Sequence, residues 1–482
     1  MFPELIHSLL SNIWAIFLVA LFFGCSIFVH ELGHYLAARR RGVHVERFSI
    51  GFGPPIWSWR SADGVQFQIS WFPLGGYVIL PQLADLGIIE GESTTEAATL
   101  PPVKYADKLV VFAAGAAFNI LFAFALACII WVVGQPESEE TASTVIGYVS
   151  RMLDLPDNSR IISPAAAAGL QVGDKVVAID GQRVLNWFDL NQALIASAGR
   201  DAQNQPRTVF TILRGGQTLD IVLHPRISTE DEIRRVGIAP GYDLNVYAVT
   251  PGSSSDRAGM RPGDQILTFN GTREMNVGGF AEDLSANPRQ PASVVVRRNG
   301  AQLTLTLPPR DGPKESAGIE FLIGHHLAHP SPFAQISDQV ITTFRTLWAL
   351  INPHSDIGLS KMTGPVGIVH IFHEAAEAGL RTVLMFTILV NVNLAVFNLL
   401  PIPVLDGGQM LFATIGRLRG RSLPINFIVT MQGFFAVFIG LVILYLSVFD
   451  VKRWYRDSQA DRAAAAEAAA PMPGKAPAPA RP

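Results

Sequence analysis

Cysteine is scarce in this sequence. Two residues in 482 are too few for a disulfide scaffold. Charge is scarce as well: Asp, Glu, Lys and Arg make up 16% of the chain, against roughly 25% in a typical soluble domain. Neither sign dominates, since 37 basic and 40 acidic residues leave a net charge of -3. Such a chain has no bulk attraction for phosphate, which excludes a basic nucleic-acid binder. With 49% apolar residues and a mean hydropathy of +0.30, it is not a disordered chain, and the composition fits neither a collagen nor a coiled coil. At roughly 100–200 residues per domain, the length allows about three units.

What charge there is stands in blocks. Four stretches, Leu5–His30, Leu109–Pro136, Thr382–Leu405 and Ser422–Phe449, contain no Asp, Glu, Lys or Arg. A spanning helix needs roughly 20 mainly apolar residues, so transmembrane helices are expected at about 8–38, 108–134, 380–400 and 424–449. The first lacks a basic leader and a small-residue cleavage site, and reads as a retained span rather than a signal peptide. Between spans two and three lies a polar insert with strand-like alternation at Thr208–Leu213, Ser293–Val296 and Leu303–Leu307. An Ala/Pro-rich tail, 460–482, is expected to be disordered.

Arg39, Arg40, Arg41, Arg47, Arg60, Lys104 and Lys108 follow span one, and Arg417, Arg419 and Arg421 lie between spans three and four. The positive-inside rule puts both loops on the cytoplasmic side. The N-terminus, the insert and the tail then lie opposite, although Lys452, Arg453 and Arg456 on that side count against the rule. Both cysteines, Cys25 and Cys128, fall inside spans.

Span one ends in His30-Glu31-Leu32-Gly33-His34, an H-E-x-x-H pattern. On a helix, positions i and i+4 share a face, so His30 and His34 can offer two imidazole nitrogens to one Zn²⁺. Glu31 beside them can take a proton from a metal-bound water. Ionisable groups at the end of an apolar helix default to a functional reading. A catalytic zinc usually has a third protein ligand, and Asp406 is the acid near the end of span three. It follows Asn398-Leu-Leu-Pro401-Ile-Pro403-Val-Leu405, where two prolines free the backbone from helical bonding.

These paired motifs resemble the site-2 protease family of intramembrane zinc metalloproteases. The resemblance rests on His30-Glu31-x-x-His34 with Asn398-x-x-Pro401-x-Pro403-x-Leu405-Asp406-Gly407. It is extended by Gly51-Phe52-Gly53-Pro54 and by Pro73-Leu74-Gly75-Gly76-Tyr77-Val78. It covers nearly the whole chain outside the tail. It implies one Zn²⁺ per chain on His30, His34 and Asp406, Glu31 as the catalytic base, and a catalytic or substrate-contacting Asn398. It also implies a multi-pass protein of a bacterial inner membrane with its active site near the cytoplasmic side. The implied substrates are single-span membrane proteins already trimmed outside the cytoplasm, such as an anti-sigma factor or remnant signal peptides. In span two the family often has Gly-Pro-x-x-Asn. Here it is Gly115-Ala116-Ala117-Phe118-Asn119, without the proline.

A protease of membrane helices must hold its substrate extended, and a strand edge can do so. Arg47–Phe52 and Val65–Phe72 alternate like strands about a turn at Ala62-Asp63-Gly64. The segment Gly75, Gly76, Tyr77 and Val78 is the expected substrate-binding strand, within a membrane-associated hairpin region at 45–82. Asn393 is a further substrate-contact candidate, with an amide bonding between helices as the alternative.

The insert repeats itself. Gly169, Gly173-Asp174 and Gly181 recur as Gly259, Gly263-Asp264 and Gly271, at a constant offset of 90. Both copies resemble PDZ domains, expected as periplasmic α+β units at 145–227 and 236–310. They would bind a peptide or C-terminus by strand addition, or exclude bulky substrates. Pro332–Leu350 has helical apolar spacing and could lie on the bilayer, with a loop at Thr363–Gly367. The expected architecture is therefore an N-terminal membrane part, 1–136, the two repeats, a helix and loop at 330–375, and a C-terminal membrane part, 378–450.

Overall fold

The computed structural model describes residues 2–86, 100–155, 159–227, 234–310, 316–353, 355, 358 and 362–469. The chain divides into two compact units. One comprises Met1–Val133, Pro330–Thr343 and Leu359–Pro482, and the other Gly134–His329 with Phe344–Gly358.

The first unit is built on helices α1 (Phe2–Arg40), α2 (Tyr105–Val133), residues 332–343 of α3 (Pro332–Ile351), α4 (Pro365–Ala378), α5 (Leu380–Asn398), α6 (Asp406–Leu418) and α7 (Ile425–Ala469). Four stretches within them are long and apolar enough to cross a membrane: Ile16–Arg40, Tyr105–Val133, Leu380–Asn398 and Ile425–Arg456. These coincide with the four spans expected from sequence. Helix α3 reaches the spans through Gln335, whose Nε2 donates to the carbonyl of Ala127, and through a T-shaped contact of Phe333 with Phe124.

The loop expected at Thr363–Gly367 is instead the start of a helix. Pro365 occupies the first turn of α4, where its missing N–H costs nothing. The α4 N-terminus has no cap of its own. Asp450 of α7 supplies one from outside, accepting from the backbone N–H of Gly364 (3.1 Å) and Gly367 (2.8 Å). Helix α6 also went unread in the sequence, because thirteen residues after two prolines are too short to register as a span. At the C-terminus, α7 runs on to Ala469, through the first ten residues of the Ala/Pro-rich tail. Alanine has the highest helix propensity, and those ten residues contain no proline. The rest of the tail, 470–482, lies outside the described residues.

Strands β1 (Arg47–Arg60) and β2 (Gln66–Ile79) pair twice, because both bend. Residues 47–50 pair with 76–79 on one side and 66–69 on the other, and 66–69 pair again with 57–60. The result is a four-stranded antiparallel sheet in which 76–79 is an edge. One sheet face packs on α1 and α2 through Tyr35, Phe48, Val78, Val111 and Phe112. Edge-to-face pairs Phe28–Phe48, Tyr35–Phe48 and Tyr35–Phe67 fix the orientation, at about 0.5–1.5 kcal/mol each beyond their burial. The sheet's bends and far edge leave Phe52, Ile56, Trp57, Trp71 and Phe72 exposed.

The second unit holds the two β-rich repeats. Each buries its own core, one around Phe210, Ile212 and Leu190, the other around Val294, Val296 and Phe280. Pairing extends each copy beyond its repeated motif. Ile238–Pro240 pairs with Ile146–Val149, and Ile319–Leu322 pairs with Leu244–Val249 as the outermost strand of its sheet.

Candidate metal centre

His30 and His34 lie one turn apart on α1, so their rings point to the same side, with Nε2 atoms 3.1 Å apart. Asp406 arrives from elsewhere in the sequence. Helix α5 stops at Asn398, and the chain turns through Pro401 and Pro403 with a bond from Leu405 N–H to the carbonyl of Ile402. Asp406 then opens α6, where a carboxylate is favoured by the helix dipole. Its Oδ2 stands 3.4 Å from both His30 Nε2 and His34 Nε2. Among the described residues this is the one group of three or more such side chains close enough to hold a metal.

Three features fit these residues to zinc. Donor atoms about 2.0–2.1 Å from a tetrahedral Zn²⁺ lie about 3.3 Å from one another, as these do. Asp406 Oδ2 is buried without a hydrogen bond, an unfavourable state that a cation relieves. The third feature is a second layer around the imidazoles. His34 Nδ1–H donates to the carbonyl of Val111 (2.8 Å), which leaves the Nε2 lone pair available to a metal. The Asn119 carboxamide lies 3.3 Å from His30 Nδ1 and has an unpartnered Oδ1. With its oxygen turned to the ring, it accepts the Nδ1 proton that a metal-bound His30 carries.

Helix α2 can approach this closely because of Gly115. A Cβ there would stand 2.3 Å from His34 Nε2 and 2.7 Å from His30 Cε1. Asn119 sits one turn along the same face. Asn119 and Val111 support the site from outside the two paired motifs. A buried amide in an apolar span, at i+4 from a glycine, was the available signal for Asn119. The Val111 carbonyl carries no sequence signal.

Glu31 lies against the sheet's edge strand, since a Cβ on Gly76 would be 2.9 Å from Glu31 Cγ. The structure therefore brings the Gly75–Val78 segment to the metal-side face of α1. Gly76 gives close backbone approach. Gly75, at φ +134, lies against the ring of Phe52. Tyr77 stacks on Phe52, and its hydroxyl accepts from Gln68 Nε2 (3.0 Å). The Val78 side chain is buried in the core between sheet and helices, so only its backbone is on offer.

Asn398 ends α5 half-buried, and its side chain makes no hydrogen bond among the described residues. Asn393 does not join this group. Its Oδ1 accepts from Thr343 Oγ1 (2.6 Å) and Gln339 Nε2 (3.2 Å) of α3. This is the interhelical amide that was the alternative reading, and it arises because α3 presents two donors on one face.

The sequence profile of peptidase family M50 matches residues 17–442. Among curated proteins, the chain is 31% identical over 446 residues to "Protease RseP" of Yersinia pestis, covering 86% of this chain and 92% of that protein. It is 30% identical to "Regulator of sigma E protease" of Salmonella typhi and 29% identical to "Regulator of sigma-E protease RseP" of Escherichia coli K12. Each of those matches spans 441 residues and covers 86% of this chain and 92% of the relative.

Proposed function

The chain belongs to peptidase family M50, a zinc-dependent membrane metalloendopeptidase family, and from that we propose that it cleaves transmembrane segments of single-span proteins at the His30–His34–Asp406 centre. The observation that carries the assignment is the meeting of three donor atoms 3.1–3.4 Å apart, from α1 and α6, beside Glu31. His30, His34 and Asp406 would hold a zinc ion, which would make a water there acidic enough to give hydroxide near neutral pH. Glu31 would take the proton from the attacking water and return it to the leaving amine. Asn398, with a free amide, donates to the developing oxyanion or holds the substrate backbone.

The substrate must be extended before its carbonyl can be attacked, and unpaired backbone in lipid costs several kcal/mol per group. The edge strand 76–79 has one side unpaired by any strand among the described residues and faces Glu31. A substrate strand added there lies along the centre with its backbone satisfied. The exposed Trp57, Trp71 and Phe72 suit a sheet set into the membrane boundary.

In this reading the protein sits in a bacterial inner membrane with the repeats and N-terminus periplasmic and the centre near the cytoplasmic face. Its substrate is an anti-sigma factor or a remnant signal peptide; the name of one relative, "Regulator of sigma E protease", supports a role in sigma-factor control. The repeats act as PDZ domains, with Ile319–Leu322 offering an outer edge to a peptide.

The test uses full-length protein in detergent with a tagged single-span substrate. Glu31→Gln should keep its zinc and lose cleavage by on the order of 10²–10⁴-fold. Cleavage at the wild-type rate would overturn the assignment of Glu31.

A further inference from the structure

One turn from the metal centre on both α2 and α6 is a second cavity, of about 200 Å³. Its walls follow helix periodicity. Tyr105, Lys108 and Phe112 form one face of α2, and Gln409, Phe412, Ala413, Gly416 and Arg417 form one face of α6. Ser422, Leu423 and Ile428 close it from the start of α7. Tyr105 Oη and Thr414 Oγ1, 3.0 Å apart, join α2 to α6 beside it.

The chemistry of this lining is one-sided. Lys108 and Arg417 contribute two positive charges, and no acidic side chain lines the cavity. Neither cation has an ion-pair partner among the described residues. The nearby acid Asp107 is engaged by Arg41 at 3.3 Å. The Ser422 hydroxyl can donate to an anion, whereas Tyr105 donates to Thr414, whose own proton goes to the Met410 carbonyl. Gln409 Oε1 is a buried acceptor with no partner, so the occupant should also carry a donor. Phe112, Phe412, Leu423 and Ile428 give the remaining wall an apolar surface. The cavity stands at the end of two spans, on the face where basic residues concentrate.

We propose that this cavity binds the headgroup of an anionic phospholipid whose alcohol bears free hydroxyls, as in phosphatidylglycerol. The phosphodiester lies between Lys108 and Arg417, a headgroup hydroxyl donates to Gln409 Oε1, and the glycerol-ester end meets the apolar wall. Basic pockets between helices at a membrane face are suited to such headgroups. A zwitterionic headgroup would put its ammonium against the same two cations. The inference goes beyond the protease assignment and does not depend on cleavage. Because the pocket spans α2 and α6, an occupied site braces the helix that carries Asp406 against the helix that holds both histidine supports.

The experiment is native mass spectrometry of the full chain released from detergent with phosphatidylglycerol, phosphatidylcholine or inorganic phosphate added. The wild-type protein should retain phosphatidylglycerol on the order of 10–30-fold better than phosphatidylcholine, the effect of two surface cations. Inorganic phosphate should not displace it. Lys108→Gln with Arg417→Gln should abolish the preference, and Arg419→Gln, whose side chain is outside the lining, should keep it. Equal retention of the two lipids by the wild-type protein would overturn the proposal, and that comparison needs no variant to fold. So would survival of the preference in the double variant, or displacement by inorganic phosphate, which would mark a site for soluble anions.

Discussion

Asp174 and Asp264 in the repeats and Asp406 in the membrane unit are carboxylates treated in opposite ways. Asp174 and Asp264, at equivalent places in the two repeats, are 1% and 0% exposed, and each is saturated. Arg214 Nε and Nη2 both donate to Asp174 at 2.6 Å, and Gln171 N–H adds a third bond. Arg298 and Arg261 N–H do the same for Asp264. In the membrane unit, Asp406 faces two imidazoles at 3.4 Å and keeps Oδ2 without a hydrogen bond. A carboxylate kept for architecture has its lone pairs filled by the protein, because an unpaired buried charge is destabilising. Asp406, the proposed ligand, has a lone pair in reserve. Glu274 shows a third solution. It is buried beside another acid, and burial first, then the charge of Asp283 and a hydrogen bond to it, push its carboxyl up to about 8.

Substitutions should separate these cases. The largest effect is expected at the ligand. Asp406→Asn should lower zinc affinity at least 100-fold, since losing a ligand exceeds the 10–100-fold typical of second-layer changes. Elemental analysis after dialysis reads this, and unchanged zinc content would remove Asp406 from the set. Next, Asp264→Ala strands Arg298 and should destabilise its repeat by about 3 kcal/mol while leaving zinc content unaltered. Pulse proteolysis in urea reads the loss; a change below about 0.5 kcal/mol would mean that the pair is dispensable and the contrast with Asp406 too sharply drawn.

The smallest effect is at Glu274. Its folded-state value lies above the ordinary 4.5, so its contribution is complete below about 4.5 and is lost as pH rises through about 8. Glu274→Gln should therefore flatten the fall in thermal stability between pH 5 and pH 9. Parallel curves for the two proteins would show that Glu274 is not held protonated.

The four spans, the histidine pair and the repeat were legible because each is local. Charge-free runs, an i, i+4 spacing and a constant 90-residue offset are properties of the string. Helix α4 was misread because its start is capped from Asp450, 83 residues from Gly367. Asn393 looked like a substrate contact because an amide in an apolar helix has no visible partner until α3 is placed beside it. Val111 could not have been singled out, since its contribution to the site is a backbone carbonyl.

By itself, then, the sequence determined that two histidines share one helix face, which segments are apolar enough to span, and that one module occurs twice. Only the tertiary structure decided that Asp406 reaches the histidines from 372 positions beyond His34 in the chain, that Gly115 and Gly76 let two backbones close on the site, and that 76–79 is an edge. The physical reason is that ligand geometry and exposed edges depend on distances of a few ångströms between elements remote in sequence. Residue periodicity encodes which face an element buries, but not what it meets there.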